Sequence, residues 1–159
     1  MKAVKGKLLL GGVHVPDKKS LANAAPIEEL PPPLKVAINL SQSLGRPSVP
    51  CVAAGDTVKE GQVIANAAGP ISSQVFASIS GTVKEIKSLV TEGGVESQFI
   101  VIEGDGSGEK QYLQPLENPS ADDIKQRIYD AGIVGLGGAG FPTAVKVAPK
   151  TPVDTLILN

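Results

Sequence analysis

Val52-Ala53-Ala54-Gly55-Asp56-Thr57-Val58-Lys59-Glu60-Gly61-Gln62-Val63-Ile64, followed downstream by Val75-Phe76-Ala77-Ser78-Ile79-Ser80-Gly81-Thr82-Val83, decides the fold of this 159-residue chain. Both stretches set short β-branched runs between glycine turns: Gly55-Asp56 and Gly61-Gln62 in the first, Gly81-Thr82 in the second. β-Branched side chains fit a pleated, half-buried surface, and glycine takes the backbone conformations that tight turns require. Working outward, Val36, Ile38 and Leu40 alternate with Lys35, Ala37 and Asn39, the period-two pattern of a strand with one buried face. Residues 49–52, 63–65, 75–79, 83–86 and 99–102 read as further short strands, with Gly93-Gly94 as another turn. Strands at this spacing predict a compact β barrel or sandwich over residues 34–104.

Composition narrows the function. The 15 Lys+Arg nearly balance the 16 Asp+Glu, and aromatic residues make up 3% of the chain. The chain therefore offers neither a basic stripe for phosphodiesters nor stacking platforms for bases, which excludes nucleic acid as a partner. A single cysteine, Cys51, excludes an internal disulfide and any cysteine-built metal or iron–sulfur cage; between Pro50 and Val52 it reads as a small buried hydrophobe. Leu8-Leu9-Leu10 is too short for a signal-peptide core and is broken by Gly11-Gly12. Residues 131–145 carry no charge, but their glycines and Pro142 mark a loop and not a membrane span. These features predict a cytoplasmic protein without direct membrane insertion.

On either side of the barrel the chain changes character. Residues 1–33 form a polar, proline-bearing arm, extended at His14-Val15-Pro16 and Pro31-Pro32-Pro33. His14, the sole histidine, reads as a turn or packing residue. Residues 105–118 are turn-rich and predict a linker. A helix follows: Ser120 and Asp123 have capping-box spacing, Ile124, Ile128 and Ala131 share one face, and Gly132 ends it. Asp122 and Asp123 suit the positive end of that helix as capping acids. Residues 141–147 predict a short helix with Pro142 in its first turn, and Leu156-Ile157-Leu158 a buried strand. A chain that stops at Asn159, on the edge of a core strand, reads as part of a longer polypeptide.

Between the two helices lies Gly135-Leu136-Gly137-Gly138-Ala139-Gly140-Phe141-Pro142-Thr143, with Lys146 just beyond. Bare backbone amides beside a cation suit a phosphate, so a flavin or nucleotide cradle is one reading; a packed turn between helix and sheet is the other. Gly135, Gly137 and Gly140 match G-x-G-x-x-G, but a dinucleotide fingerprint follows a full strand, and here only Ile133-Val134 intervene after Gly132. Asp154 lies about 20 residues on, as a ribose-binding acid would, yet it precedes the expected strand. Asn159, at that strand's carboxyl edge, is better placed for a ligand.

The two barrel stretches resemble the lipoyl/biotinyl carrier fold, a flattened β barrel-sandwich hybrid. Carriers present a modified lysine on the hairpin between them, a position that falls near Pro70 here. Residues 62–76 contain no lysine, so the resemblance implies the fold without acylation, as a docking or spacer module. The string from Gly137 to Thr143 followed by Lys146 resembles the flavin-binding loop of the NADH-oxidising subunit of respiratory complex I, which has an arginine where this chain has Leu136. Taken with Gly11-Gly12-Val13-His14-Val15-Pro16, the barrel segments and Ala131-Gly132-Ile133-Val134-Gly135, it resembles the C subunit of the Rnf-type electron transport complex over essentially all of the chain.

That resemblance implies a mixed β and α/β architecture, a barrel-sandwich hybrid followed at 119–159 by the beginning of an α/β FMN- and NADH-binding domain. It implies that Gly135, Gly137, Gly138 and Gly140 line FMN and the incoming NADH. Phe141 would lie against the nicotinamide, Lys146 would approach the flavin phosphate and Asn159 would contact FMN. No residue is expected to act as a catalytic acid, base or nucleophile, and none to bind a metal. The family's two 4Fe–4S clusters need cysteine runs absent here and so belong outside this chain. The implied protein is a peripheral subunit on the cytoplasmic face of the cell membrane, partnered by other subunits and, indirectly, by ferredoxin. It passes electrons between NAD(H) and ferredoxin while the complex moves ions, and this stretch alone is expected to be inactive. The alternative is a non-enzymatic scaffold that binds partner subunits.

Overall fold

The structure is a computed structural model and describes residues 16–155. His14 and its neighbours, the strand expected at 156–158 and Asn159 lie outside the described residues. The chain divides into two units, Met1–Pro31 and Pro32–Asn159. In the first, residues 16–31 are exposed throughout, and their regular structure is one 3-10 turn at Lys19–Leu21.

The second unit is built on two small antiparallel sheets. One orders its strands β1 (Lys35–Asn39), β7 (Glu96–Gly104), β6 (Gly81–Val90) and β3 (Thr57–Val58); the other orders β2 (Val49–Pro50), β4 (Val63–Asn66) and β5 (Val75–Phe76). Pairing of Ile38 with Ile100 and of Val36 with Ile102 fixes the β1–β7 register and places these four on the core face, while Val101 is buried on the other side of β7. Ile38, Leu40, Val58, Val83, Ile100 and Ile102 then meet Ile64, Ala65 and Val75 of the smaller sheet in a single core.

The strands differ from the sequence pattern at three places, each for a local reason. The β6–β7 hairpin runs well past 83–86 and 99–102, pairing as far as Val90 with Glu96. Its outer half carries Lys87, Ser88, Glu96 and Ser97 and is held by the ladder, so no hydrophobic alternation announces it; a register shift between Val83 and Glu85 breaks the period as well. Residues 57–58, outside the predicted strand set, pair with Thr82 and Gly81. β5 stops at Phe76, because the Ala77 amide turns to the Gln62 carbonyl (2.9 Å) and its own carbonyl accepts from the Gly61 amide (2.8 Å).

The polar segment after β7 runs along the barrel. The buried Ser80 hydroxyl donates to Asp105 (3.0 Å) and accepts from the Gly108 amide (3.1 Å). Further on, the Glu60 amide donates to the Glu109 carbonyl (3.0 Å) and the Gln111 amide to the Glu60 carbonyl (2.8 Å). Lys59 with Glu109 (2.8 Å) and Lys110 with Glu60 (3.5 Å) add exposed ion pairs. The hydrogen bonds from Ser107 and Ser80 hold the Asp105 carboxyl below the usual carboxylate range.

Helix α1 (Ala121–Asp130) starts where its capping residues dictate. The Asp123 amide donates to the Ser120 hydroxyl (3.2 Å), and the Ser120 amide donates to the Asp123 carboxylate (2.8 Å). At the other end Gly132 adopts φ +61°, its amide donates to Tyr129 (3.0 Å) and the Ile133 amide to Ile128 (3.3 Å), the Schellman closure. Helix α2 (Thr143–Lys146) is a single turn with Pro142 at its N-cap. Among the described residues no strand of either sheet follows β7, and no helix is long and apolar enough to cross a membrane.

Ser120→Ala should cost about 1 kcal/mol, read as earlier fraying of α1 by amide hydrogen exchange. The same box gives a pH dependence. Hydrogen bonds from the Ser120 hydroxyl and amide lower the Asp123 pKa, so its contribution is complete above the unfolded carboxylate range and is lost as pH falls through the folded value. Equal fraying of wild type and Ser120→Ala at neutral pH would show that the box does not hold the helix start.

Candidate functional site: a glycine loop mounted on the barrel

Local pairing makes the glycine stretch a closed loop. Val134 and Pro142 form an antiparallel bridge, the Gly135 amide donates to the Phe141 carbonyl (3.0 Å) and the Thr143 amide to the Ile133 carbonyl (2.8 Å). Leu136, Gly137, Gly138 and Ala139 form the tip. Among the described residues, none of these four amides donates to a backbone acceptor. A Cβ built on Gly137 or Gly138 meets no atom within 4 Å, so the tip opens to solvent.

Lys146 turns back toward the entry of the loop. Its ammonium would lie 2.8 Å from a Cβ on Gly135 and sits 5.8 Å from the centroid of the half-buried Phe141 ring. The structure thus brings Gly135, Phe141 and Lys146 together beside Gly137 and Gly138. Gly140 faces the other way. It is buried, with φ +67°, and a Cβ there would come 2.8 Å from the Gln42 carbonyl oxygen and 3.3 Å from Ser43 Cα. Asn159 lies outside the described residues.

The barrel side of the loop carries no signal in the linear sequence. The Leu44 amide donates to the Gly140 carbonyl (3.2 Å), and the buried Ser73 hydroxyl donates to the Gly132 carbonyl (3.0 Å). These partners lie far apart in the chain, and the Ser72-Ser73 pair in a turn has no periodicity to mark it. Gly132, read as a helix stop, is also a contact: a Cβ would come 2.6 Å from the Phe76 ring.

Tip amides without backbone acceptors, open space and a nearby ammonium are donors of the kind that suit an anionic group. A thiol nucleophile is not part of the site. Cys51, expected from the sequence to be buried, is exposed because its strand ends at Pro50; partial desolvation still pushes the thiol above its usual range, and its sulfur donates to the Val63 carbonyl (3.6 Å). Among the described residues no group of three metal-ligating side chains is assembled.

Two curled sheets around one core, a β4–β5 hairpin without lysine and a glycine loop mounted beside it define a barrel-sandwich domain distinct from the acyl carriers. The chain belongs to the RnfC family: the RnfC barrel sandwich hybrid domain matches residues 8–107. It is 42% identical to the C subunit of the proton-translocating ferredoxin:NAD(+) oxidoreductase complex of Clostridium ljungdahlii, over 96% of this chain and 35% of that protein. It is 39% identical to the Na(+)-translocating counterpart of Acetobacterium woodii, over 98% of this chain and 37% of that protein. Identity to the C subunit of the ion-translocating oxidoreductase complex of Pseudomonas aeruginosa is 39%, over 94% of this chain and 20% of that protein. The chain therefore spans little more than a third of the longest-matched of these relatives.

Proposed function

We propose that this chain is the N-terminal part of an RnfC-type subunit that passes electrons between NAD(H) and ferredoxin in an ion-translocating complex, and that its glycine loop holds FMN. The observation that carries this reading is the loop tip, where the amides of Leu136, Gly137, Gly138 and Ala139 make no backbone hydrogen bond while the Lys146 ammonium lies against Gly135 at the loop's entry. The names of the relatives support the reaction class. Bound flavin supplies the exchange between a hydride from nicotinamide and single electrons for iron–sulfur centres.

This chain's residues supply position and charge. Gly137 and Gly138 let backbone approach the ligand, Lys146 balances a phosphate, and Phe141 offers a flat apolar face for the nicotinamide. Asn159 is assigned to the flavin as well. The iron–sulfur clusters, the remaining sheet and the contacts with other subunits and ferredoxin belong to sequence outside this chain. The protein is placed peripherally, on the cytoplasmic face of the membrane. A scaffold role alone accounts for the packed Gly132 and Gly140 but leaves the open tip without a use.

The test compares FMN with riboflavin, which lacks the phosphate, in the full-length protein. FMN should bind more tightly, and Lys146→Gln should weaken FMN by about tenfold while leaving riboflavin nearly unchanged. Equal affinities for the two flavins in the unsubstituted protein would remove the phosphate from this loop.

A further inference from the structure

We infer that Ser73 and the 42–44 backbone are positioning elements for the glycine loop, so that the barrel hairpin which carries a lysine in acyl carriers here serves as a fixed mount for a flavin site. The inference rests on the flavin reading of the loop and adds to it the residues that set the loop's place.

The loop is gripped at both ends and free in the middle. At the entry, the Gly132 carbonyl accepts from Ser73 (3.0 Å), and the close approach of Phe76 leaves no room for a side chain. At the exit, the Gly140 carbonyl accepts from the Leu44 amide (3.2 Å), and Gln42 and Ser43 crowd its α-carbon. The mount is itself braced. The Ser72 hydroxyl donates to the Arg46 carbonyl (2.9 Å) and accepts from the Ala68 amide (3.0 Å), while the Arg46 amide donates to the Ile71 carbonyl (3.3 Å). The Ser48 hydroxyl donates to the Ser73 carbonyl (2.6 Å). Thus the 67–73 turn, which would have to swing to deliver an acyl group, is tied to the same 42–48 segment that holds Gly140. A cradle for a phosphate works only if its amides are already aimed when the ligand arrives, and two fixed ends set that aim.

The experiment measures the FMN-over-riboflavin preference of the full-length protein, a ratio that general destabilisation does not move. Ser73→Ala should narrow it about fivefold. Gly140→Ala disturbs the second anchor through the Gln42 carbonyl and should narrow it in the same direction. Ser80→Ala is the control: it removes another buried hydroxyl, whose bonds go to Asp105, Ser107 and Gly108, and should leave the preference unchanged. A preference retained in both Ser73→Ala and Gly140→Ala, or narrowed equally by Ser80→Ala, overturns the positioning role alone. Equal flavin affinities in the unsubstituted protein overturn the phosphate reading and this inference together.

Discussion

Gly81→Ala is expected to lower barrel stability by about 3 kcal/mol, a large cost for one methyl group. Gly81 is buried at the start of β6, paired with Gly104 on one side and with Val58 on the other. A Cβ there would come 2.1 Å from the Glu103 carbonyl oxygen, 2.8 Å from its carbon and 2.9 Å from Gly104 Cα. All three atoms are backbone, so relief requires β6 to part from β7 at the edge of the core. Gly94→Ala separates the steric cost from the conformational one. Gly94 has φ +75° but nothing within 4 Å of an added Cβ, so only the left-handed penalty of about 1 kcal/mol applies. Urea midpoints of the two variants decide the matter; similar losses would mean that β6 and β7 do not approach as closely as described.

Gly138→Trp should abolish flavin retention in the full-length protein while leaving its fold intact. The free space around Gly138 makes the variant informative, because a Cβ there meets no protein atom within 4 Å and the new side chain starts in the open. It would occupy the open space at the loop tip that the flavin reading assigns to the ligand. The measurement is flavin released per polypeptide after denaturation, with the thermal midpoint recorded alongside. Unchanged flavin content at an unchanged midpoint would place the flavin elsewhere and leave the loop as a packed turn with an exposed tip.

Much of this fold is written locally and could be read directly. The alternation of Val36, Ile38 and Leu40 marks β1 because one face is buried, and Ser120, Asp123 and Gly132 mark both ends of α1 because caps act within a turn or two of chain. The outer β6–β7 hairpin was illegible because both of its faces are wet and its stability comes from backbone ladder bonds, which every residue can make. The loop itself was visible from its glycines. Its division of labour was not: Gly132 and Gly140 are small because barrel atoms press on them, whereas Gly137 and Gly138 face open space. Composition gives all four the same letter, and only long-range contacts, Ser73 and Phe76 at Gly132 and Gln42 to Leu44 at Gly140, tell them apart.

The segment leaving β7 bonds first to Ser80 and then to both backbone groups of Glu60. Separating that segment from the barrel therefore requires breaking a row of hydrogen bonds that lies outside the apolar core. The glycine loop further on has its own separate attachment, through Ser73 and Leu44, so the chain after β7 is fastened to the barrel at two places well apart in sequence.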